Sequence, residues 1–152
     1  MSYLITFEEK PAPEDIRVLS DGIDEFTRSK TGARANVPLT FFLKDEQGAI
    51  VGGVHGNYSD SGWLYISTLW VSERVRGGGH GSRLMETIER EAAGRGCANA
   101  YLDTFSFQAL GFYMKLGYGV FGELEDFPPG HSRFFLRKKL GEAVSPGTPD
   151  DV

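Results

Sequence analysis

Cysteine, basic charge and long apolar runs are all scarce in this chain. Among 152 residues there is one cysteine, Cys97. That excludes an intramolecular disulfide framework and a cysteine-rich zinc site, and it suits a reducing cytosol. No metal site is expected. The longest uncharged stretches, 47–59 and 61–72, are too short and too rich in glycine and serine to span a bilayer. Charge arrives at Glu8, ahead of any apolar run of signal-peptide length. A cytoplasmic location with no membrane partner is the expectation. Sixteen basic residues face 21 acidic ones, for a net charge of −5. A duplex-binding domain carries a basic surplus, so nucleic acid is not an expected partner. The negative sign suits an amine-bearing small molecule, and it suits plain solubility equally well.

What remains is an ordinary globular composition. Hydrophobic residues make up 40% and charged residues 24%, enough for one core in a chain of this size. Residues 1–140 read as one domain. Residues 141–152 (GEAVSPGTPDDV) are polar and rich in proline and glycine, and read as a flexible C-terminal tail.

The period of the apolar residues assigns the elements. Tyr3–Phe7 alternates like a strand. Pro13, Glu14 and Asp15 open a helix carrying Ile16, Leu19, Ile23 and Phe26 at helical spacing. Leu39–Lys44 and Ala49–His55 read as a hairpin around Asp45–Gly48. Trp63–Val71 (WLYISTLWV) reads as a central strand. An amphipathic helix follows, with Leu84, Ile88 and Ala92 inward, Met85 beside them, and Arg83, Glu86, Glu89 and Arg90 on its outer face. Then come a strand (Ala98–Phe105), a short helix (Gln108–Leu116), a strand (Tyr118–Gly122), an acidic loop (Glu123–Gly130) and a final strand (Ser132–Leu140). The order β-α-β-β-β-α-β-α-β-β predicts an α/β (α+β) domain built on a mixed sheet with helices on its faces.

Between the strongest strand and the strongest helix lies Arg76-Gly77-Gly78-Gly79-His80-Gly81-Ser82. Glycines admit positive φ and let a ligand approach main-chain N–H groups. The following helix supplies unpaired amides and a positive dipole end. Arg76 adds a fixed positive charge. A diphosphate is the natural guest. No lysine follows these glycines, so a Walker A loop is excluded. Ser82 stands where a dinucleotide fingerprint requires glycine. A third pattern, Arg/Gln-x-x-Gly-x-Gly/Ala, is met in full by Arg76, Gly79 and Gly81.

The segment 71–84 (VSERVRGGGHGSRL) resembles the signature of the GNAT superfamily of N-acetyltransferases. So does 109–118 (ALGFYMKLGY), with its aromatic-Tyr pair followed by Lys-x-Gly-aromatic. The resemblance covers roughly 3–140. It implies a sheet splayed between the fourth and fifth expected strands, with acetyl-CoA in the opening as cosubstrate. Backbone groups of Leu69, Trp70 and Val71 would hold the pantetheine arm and, at a bulge near Leu69 or Trp70, the oxyanion. Amides of Arg76, Gly77, Gly78, Gly79, His80, Gly81 and Ser82 would hold the pyrophosphate. Tyr113 would protonate the departing thiolate. Ser106 stands where relatives often carry asparagine toward pantetheine, and Glu73 where they often carry proline. His80 takes a position that is often apolar in relatives.

The base stays open. Trp63–Val71 contains no Asp, Glu or His, which leaves His55, Asp103, Glu123, His131 or a water relay. Trp63, Tyr65, Phe107 and Phe127 are candidate walls for the acceptor, together with the first helix, the 31–38 loop and 121–132. The acidic run from Glu123 to Asp126 could steer a cation. Transfer of acetyl from acetyl-CoA to a primary amine of a small molecule or peptide, by direct attack in a ternary complex, is the implied function. A non-catalytic acyl-CoA sensor and a nucleotide-binding module are the alternatives. An exposed final strand could pair across a homodimer.

Overall fold

The computed structural model describes residues 1–32 and 36–141. The expected tail therefore lies outside the described residues except for Gly141, as do residues 33–35 of the 31–38 loop. The chain divides at residues 35 and 36 into two units.

The first unit holds one helix, α1 (Pro13–Thr31), with proline in its first turn, Glu14 and Asp15 beside it, and Gly32 closing it in a left-handed conformation. The Gly32 N–H donates to the Arg28 carbonyl at 2.8 Å. Gly22 is tolerated mid-helix. Tyr3–Phe7, expected as a strand, joins no ladder. Alternation prepares a segment to pair but does not supply the partner on which a strand depends.

The second unit is a mixed six-stranded sheet with two helices. In chain order it comprises β1 (Val37–Lys44), β2 (Ile50–Tyr58), β3 (Trp63–Val71), a 3-10 turn (Glu73–Val75), α2 (His80–Gly94), β4 (Asn99–Phe105), α3 (Leu110–Lys115), β5 (Gly119–Glu125) and β6 (Ser132–Lys139). The strand order is β1-β2-β3-β4-β6-β5. Only β3 and β4 run parallel, and α2 makes the crossover between them. Pro38 is accommodated because β1 is an edge. The final strand, β6, is an interior strand with β4 on one side and β5 on the other, so it offers no free edge to a second copy. The segment 123–125, expected in a loop, extends β5 and pairs with 132–134 of β6; charge on a strand face is compatible with the ladder wherever that face is wet.

The core forms where α2 sets Leu84, Met85, Ile88 and Ala92 against Leu39, Val54, Leu64, Ile66, Ala100, Leu102 and Leu136 of the sheet. This is the apolar stripe the helical period implies. Glu89 departs from expectation. It is buried rather than on the outer face. Tyr118 donates to its Oε2 at 2.8 Å, and Lys138 to its Oε1 at 2.7 Å. Both partners come from elements 29 and 49 residues away, which helical periodicity does not register.

The β2–β3 ladder carries an irregularity. His55 faces Thr68 and Gly56 faces Ile66, so Ser67 is an extra residue on β3. Its hydroxyl donates to the His55 carbonyl at 3.0 Å. Gly56 lies so close to this bulge that a Cβ on it would collide with the Tyr65 carbonyl oxygen. Gly56→Ala is expected to lower stability by about 1–3 kcal/mol, the usual cost of overpacking, measured by thermal unfolding; an unchanged midpoint would show that the strands slide apart freely here.

Candidate active site

The bulge has a second consequence. Parallel pairing of β3 with β4 runs from Trp63 opposite Asn99 to Ile66 opposite Leu102, and there it stops. From Ser67 onward β3 keeps its β2 partner and leaves β4. The sheet therefore splays where the chain gains its extra residue, two residues before the expected bulge at Leu69 or Trp70. A bulge bends and twists its strand, which accounts for the parting. The N–H and C=O of one strand residue point to one edge, and alternate residues share that edge. Ser72 N–H donates toward β2, to Val51 at 2.7 Å. Val71 and Leu69 consequently turn theirs to the open side.

Below the opening, the 3-10 turn and the glycine loop lead into α2. Gly77 (φ 88°) and Gly79 (φ 78°) both take the left-handed conformation, and Gly79 caps α2 without any side-chain hydrogen bond. The first amide of this helix to reach back is Arg83, to the Gly79 carbonyl at 3.1 Å. The amides of His80, Gly81 and Ser82 have no protein acceptor among the described residues. They form a positive, donor-rich tip. The absence of a side chain at Gly81 lets α3 approach closely, since a Cβ there would lie 3.3 Å from the Phe112 ring.

Arg76 and His80 are partly engaged within the loop. Arg76 donates from Nε to the Val71 carbonyl at 3.0 Å, which ties the loop to the free edge of β3. The His80 ring folds over Gly78, where a Cβ would meet its Nε2 at 2.9 Å. Its Nδ1 stands 3.5 Å from the Arg83 guanidinium.

A cavity of about 420 Å³ fills the splay. It brings together Leu69, Trp70, Val71, Arg76, Gly77, Gly79, His80, Gly81, Ser82 and Tyr113 of the residues expected at the site. Val75, Ala109 and Phe112 join them. Val75 sits in a turn of three residues that leaves no periodic signal, and Phe112 reads in sequence as packing. Gly78 and Ser106 do not line this cavity. The Ser106 hydroxyl accepts from the Ser132 amide at 3.1 Å and lies 3.5 Å from His131 Nδ1, so it staples β4 to β6.

Tyr113 is buried on α3 at 8% exposure. Phe112 and Tyr118 hold its ring edge-on at 5.2 and 6.1 Å. Among the described residues nothing hydrogen-bonds its hydroxyl, and no fully buried side-chain polar atom lacks a partner. The hydroxyl oxygen therefore meets the open space of the cavity. Burial, and next the negative charge of Asp103, push the phenol above its ordinary value of 10.0. It keeps its proton throughout the neutral range.

The candidate bases lie outside this lining. His55 Nδ1 bonds Thr40 Oγ1 at 2.6 Å, and His55 borders a smaller cavity of about 160 Å³ over β1–β3. Glu123 accepts from the Ser132 hydroxyl at 2.6 Å. Asp103 is held by Arg133 at 2.7 Å and Tyr65 at 3.3 Å. Of the candidate acceptor walls, Trp63 packs edge-on to Tyr101 and borders another cavity near Arg137 and Lys139. It lies at the paired end of β3, remote from Val71. Among the described residues no group of three or more His, Cys, Asp or Glu could hold a metal ion.

A mixed sheet parted between two parallel strands, with bare amides beneath the gap and a buried phenol beside it, defines an acyltransferase architecture. Residues 5–118 match the Acetyltransferase (GNAT) family, and the chain belongs to that family. It is 38% identical over 96 residues to the blasticidin-S acetyltransferase of Streptomyces morookaense, covering 62% of this chain and 70% of that protein. An acetyltransferase of Agrobacterium fabrum is 30% identical over 124 residues, 82% of this chain and 90% of that one. The crystal structure of an acetyltransferase from Bacillus cereus superposes with a TM-score of 0.78 at 35% identity, covering 88% of this chain and 97% of that one.

Proposed function

We propose that this protein transfers the acetyl group of acetyl-CoA to a primary amine of a small molecule or peptide, by direct attack in a ternary complex. The observation that carries this reading is the single cavity in which the free edge of β3, the unpaired amides of α2 and the Tyr113 hydroxyl converge. The reading takes residues 1–140 as one catalytic domain, in keeping with a family match that runs through 5–118. The buried single cysteine is in keeping with a cytoplasmic location. Among the described residues no helix is long and apolar enough to cross a membrane.

The loop and helix tip would grip the pyrophosphate: amides of Gly77, Gly79, His80, Gly81 and Ser82 offer donors to a charged guest, and Arg76 offers a guanidinium once it exchanges its bond to Val71. Leu69 and Val71 would pair with the amides of the pantetheine arm as a strand pairs with its neighbour, and the Leu69 amide, on the open edge, would donate to the oxyanion. In the transfer, the neutral amine nitrogen attacks the thioester carbonyl carbon. The C–N bond forms, the C–S bond breaks, and the Tyr113 hydroxyl hands its proton to the departing sulfur. The proton lost by nitrogen passes to water, and water returns a proton to the Tyr113 phenolate, which closes the cycle. Among the described residues no carboxylate lines the cavity, and the one imidazole that does, His80, is folded against Gly78.

Thiol release from acetyl-CoA with a panel of amines tests the reading. Blasticidin S belongs in the panel because a relative is named for it. Acetyl-CoA binding without thiol release on any amine would instead favour a non-catalytic sensor. Gly79→Val tests the loop. Its backbone sits at φ 78°, which a β-branched residue resists by about 1–2 kcal/mol. The Kd for acetyl-CoA is expected to rise about tenfold by calorimetry, with α2 still folded by circular dichroism; an unchanged Kd would remove this loop from the coenzyme site.

A further inference from the structure

At the outer end of β4 the chain collects aromatic rings that the core does not use. Phe105 stacks on Phe107 at 5.3 Å with an interplanar angle of 15°, and Phe127 lies 5.7 Å from Phe105. Two of these rings stand largely in water: Phe107 is 56% and Phe127 42% exposed. Contiguous exposed apolar surface of this kind marks a place where something binds.

The shelf is braced. The Arg133 guanidinium lies 5.1 Å from the Phe127 ring and 5.7 Å from Phe105. The same side chain grips Oδ2 of Asp103 from Nε at 2.8 Å and from its terminal nitrogen at 2.7 Å. One cation thus fixes both the rings and a carboxylate. Oδ1 of Asp103 takes only a 3.3 Å bond from the Tyr65 hydroxyl, which leaves it acceptor capacity. Asp103 is also the first β4 residue past the end of the parallel ladder.

Shelf and cavity are near neighbours along the chain. Ala109 lines the cavity, and Phe107 stands two residues before it. Asp103 stands outside the cavity lining, and its charge reaches the Tyr113 phenol.

We propose that this shelf is the acceptor subsite, with Asp103 accepting a hydrogen bond from the incoming amine and Phe107 and Phe127 stacking on a planar ring that carries it. The acceptor class is then an aryl- or heteroaryl-alkylamine rather than a purely aliphatic one. This rests on the acetyl-transfer reading and names its substrate class. Flat, exposed phenylalanine faces favour a planar partner over a puckered ring, by about tenfold in affinity for a well-formed stack.

The test compares 2-phenylethylamine with 2-cyclohexylethylamine, which share an alkylammonium and differ in ring planarity. Their affinities for the full chain are measured by calorimetry with and without saturating CoA, beside thiol release from acetyl-CoA. The phenyl amine is expected to bind about tenfold tighter. Phe107→Leu, at an exposed position, is expected to bring that ratio below about twofold while the Kd for CoA stays unchanged. Asp103→Asn is expected to weaken both amines alike. Equal affinities in the wild-type chain, or a ratio that survives Phe107→Leu, would overturn the proposal. Failure of the chain to bind CoA would fell the acetyl-transfer reading instead, and the ratio measured without CoA would still decide the subsite.

Discussion

Tyr113→Phe is expected to lower kcat about a hundredfold, the lower end of what a positioned proton donor contributes, while the Kd for acetyl-CoA stays within about twofold of wild type. The substitution removes one oxygen that has no hydrogen-bond partner among the described residues and leaves the ring between Phe112 and Tyr118. Packing and folding are spared, so the loss reports on chemistry. Because burial and the charge of Asp103 hold the phenol above 10.0, the donor stays protonated across the neutral and mildly alkaline range. An alkylamine has a pKa near 10.4, so raising the pH from 7 to 9 supplies more neutral nucleophile. The sign is therefore a kcat/KM that climbs with pH across that range, with no falling limb below about pH 10. A full-rate Tyr113→Phe enzyme in a pre-steady-state assay would remove Tyr113 from the proton transfer.

Lys138→Met is expected to destabilise the protein by roughly 3 kcal/mol, because it strands a buried carboxylate that had a charged partner. For a chain of this size that is on the order of 10 °C in Tm. Glu89 sits on the buried face of α2 and takes Lys138 from β6 and Tyr118 from the residue just before β5. This buried network fastens the helix that presents the glycine loop to the far half of the sheet. Replacing all three members with apolar residues, as Glu89→Leu, Tyr118→Phe and Lys138→Met together, is expected to restore most of the loss, since no charge is then left without water or partner. Burial, and next the charge of Glu89, hold the Tyr118 phenol far above its ordinary value. Below pH 10 the phenol is protonated both folded and unfolded. Above it only the unfolded form ionises, so unfolding releases a proton and stability falls as pH rises. Tyr118→Phe should flatten that fall in an alkaline series of thermal melts. A Lys138→Met chain that melts with the wild type would show that water already screens the pair.

Particular residues show why some of this is written locally and some is not. Leu84, Ile88 and Ala92 recur at helical spacing and are all buried, because one face of a helix is a property of a short window. Trp63–Val71 is a strand over its full span, since β-branched and aromatic residues suit a pleated, half-buried surface. Arg76, Gly79 and Gly81 could be singled out by spacing alone, and all three line one cavity. Glu89 could not, because its partners arrive from β6 and from the residue before β5. Nor could the position of the bulge. Nothing in YISTL marks Ser67 as the surplus residue until β2 is laid beside it. Nor could the contacts of Ser106 with the Ser132 amide and His131, which only the approach of β6 creates.

The amino-acid order alone determined the helices, most of the strands and a glycine loop at a helix tip, because each depends on conformational preferences within a few residues. The opening itself was decided by the tertiary fold. It exists because β3 is laid between an antiparallel and a parallel partner and sheds the second at Ser67. Register and long-range contact are relations between segments, and no single segment encodes them.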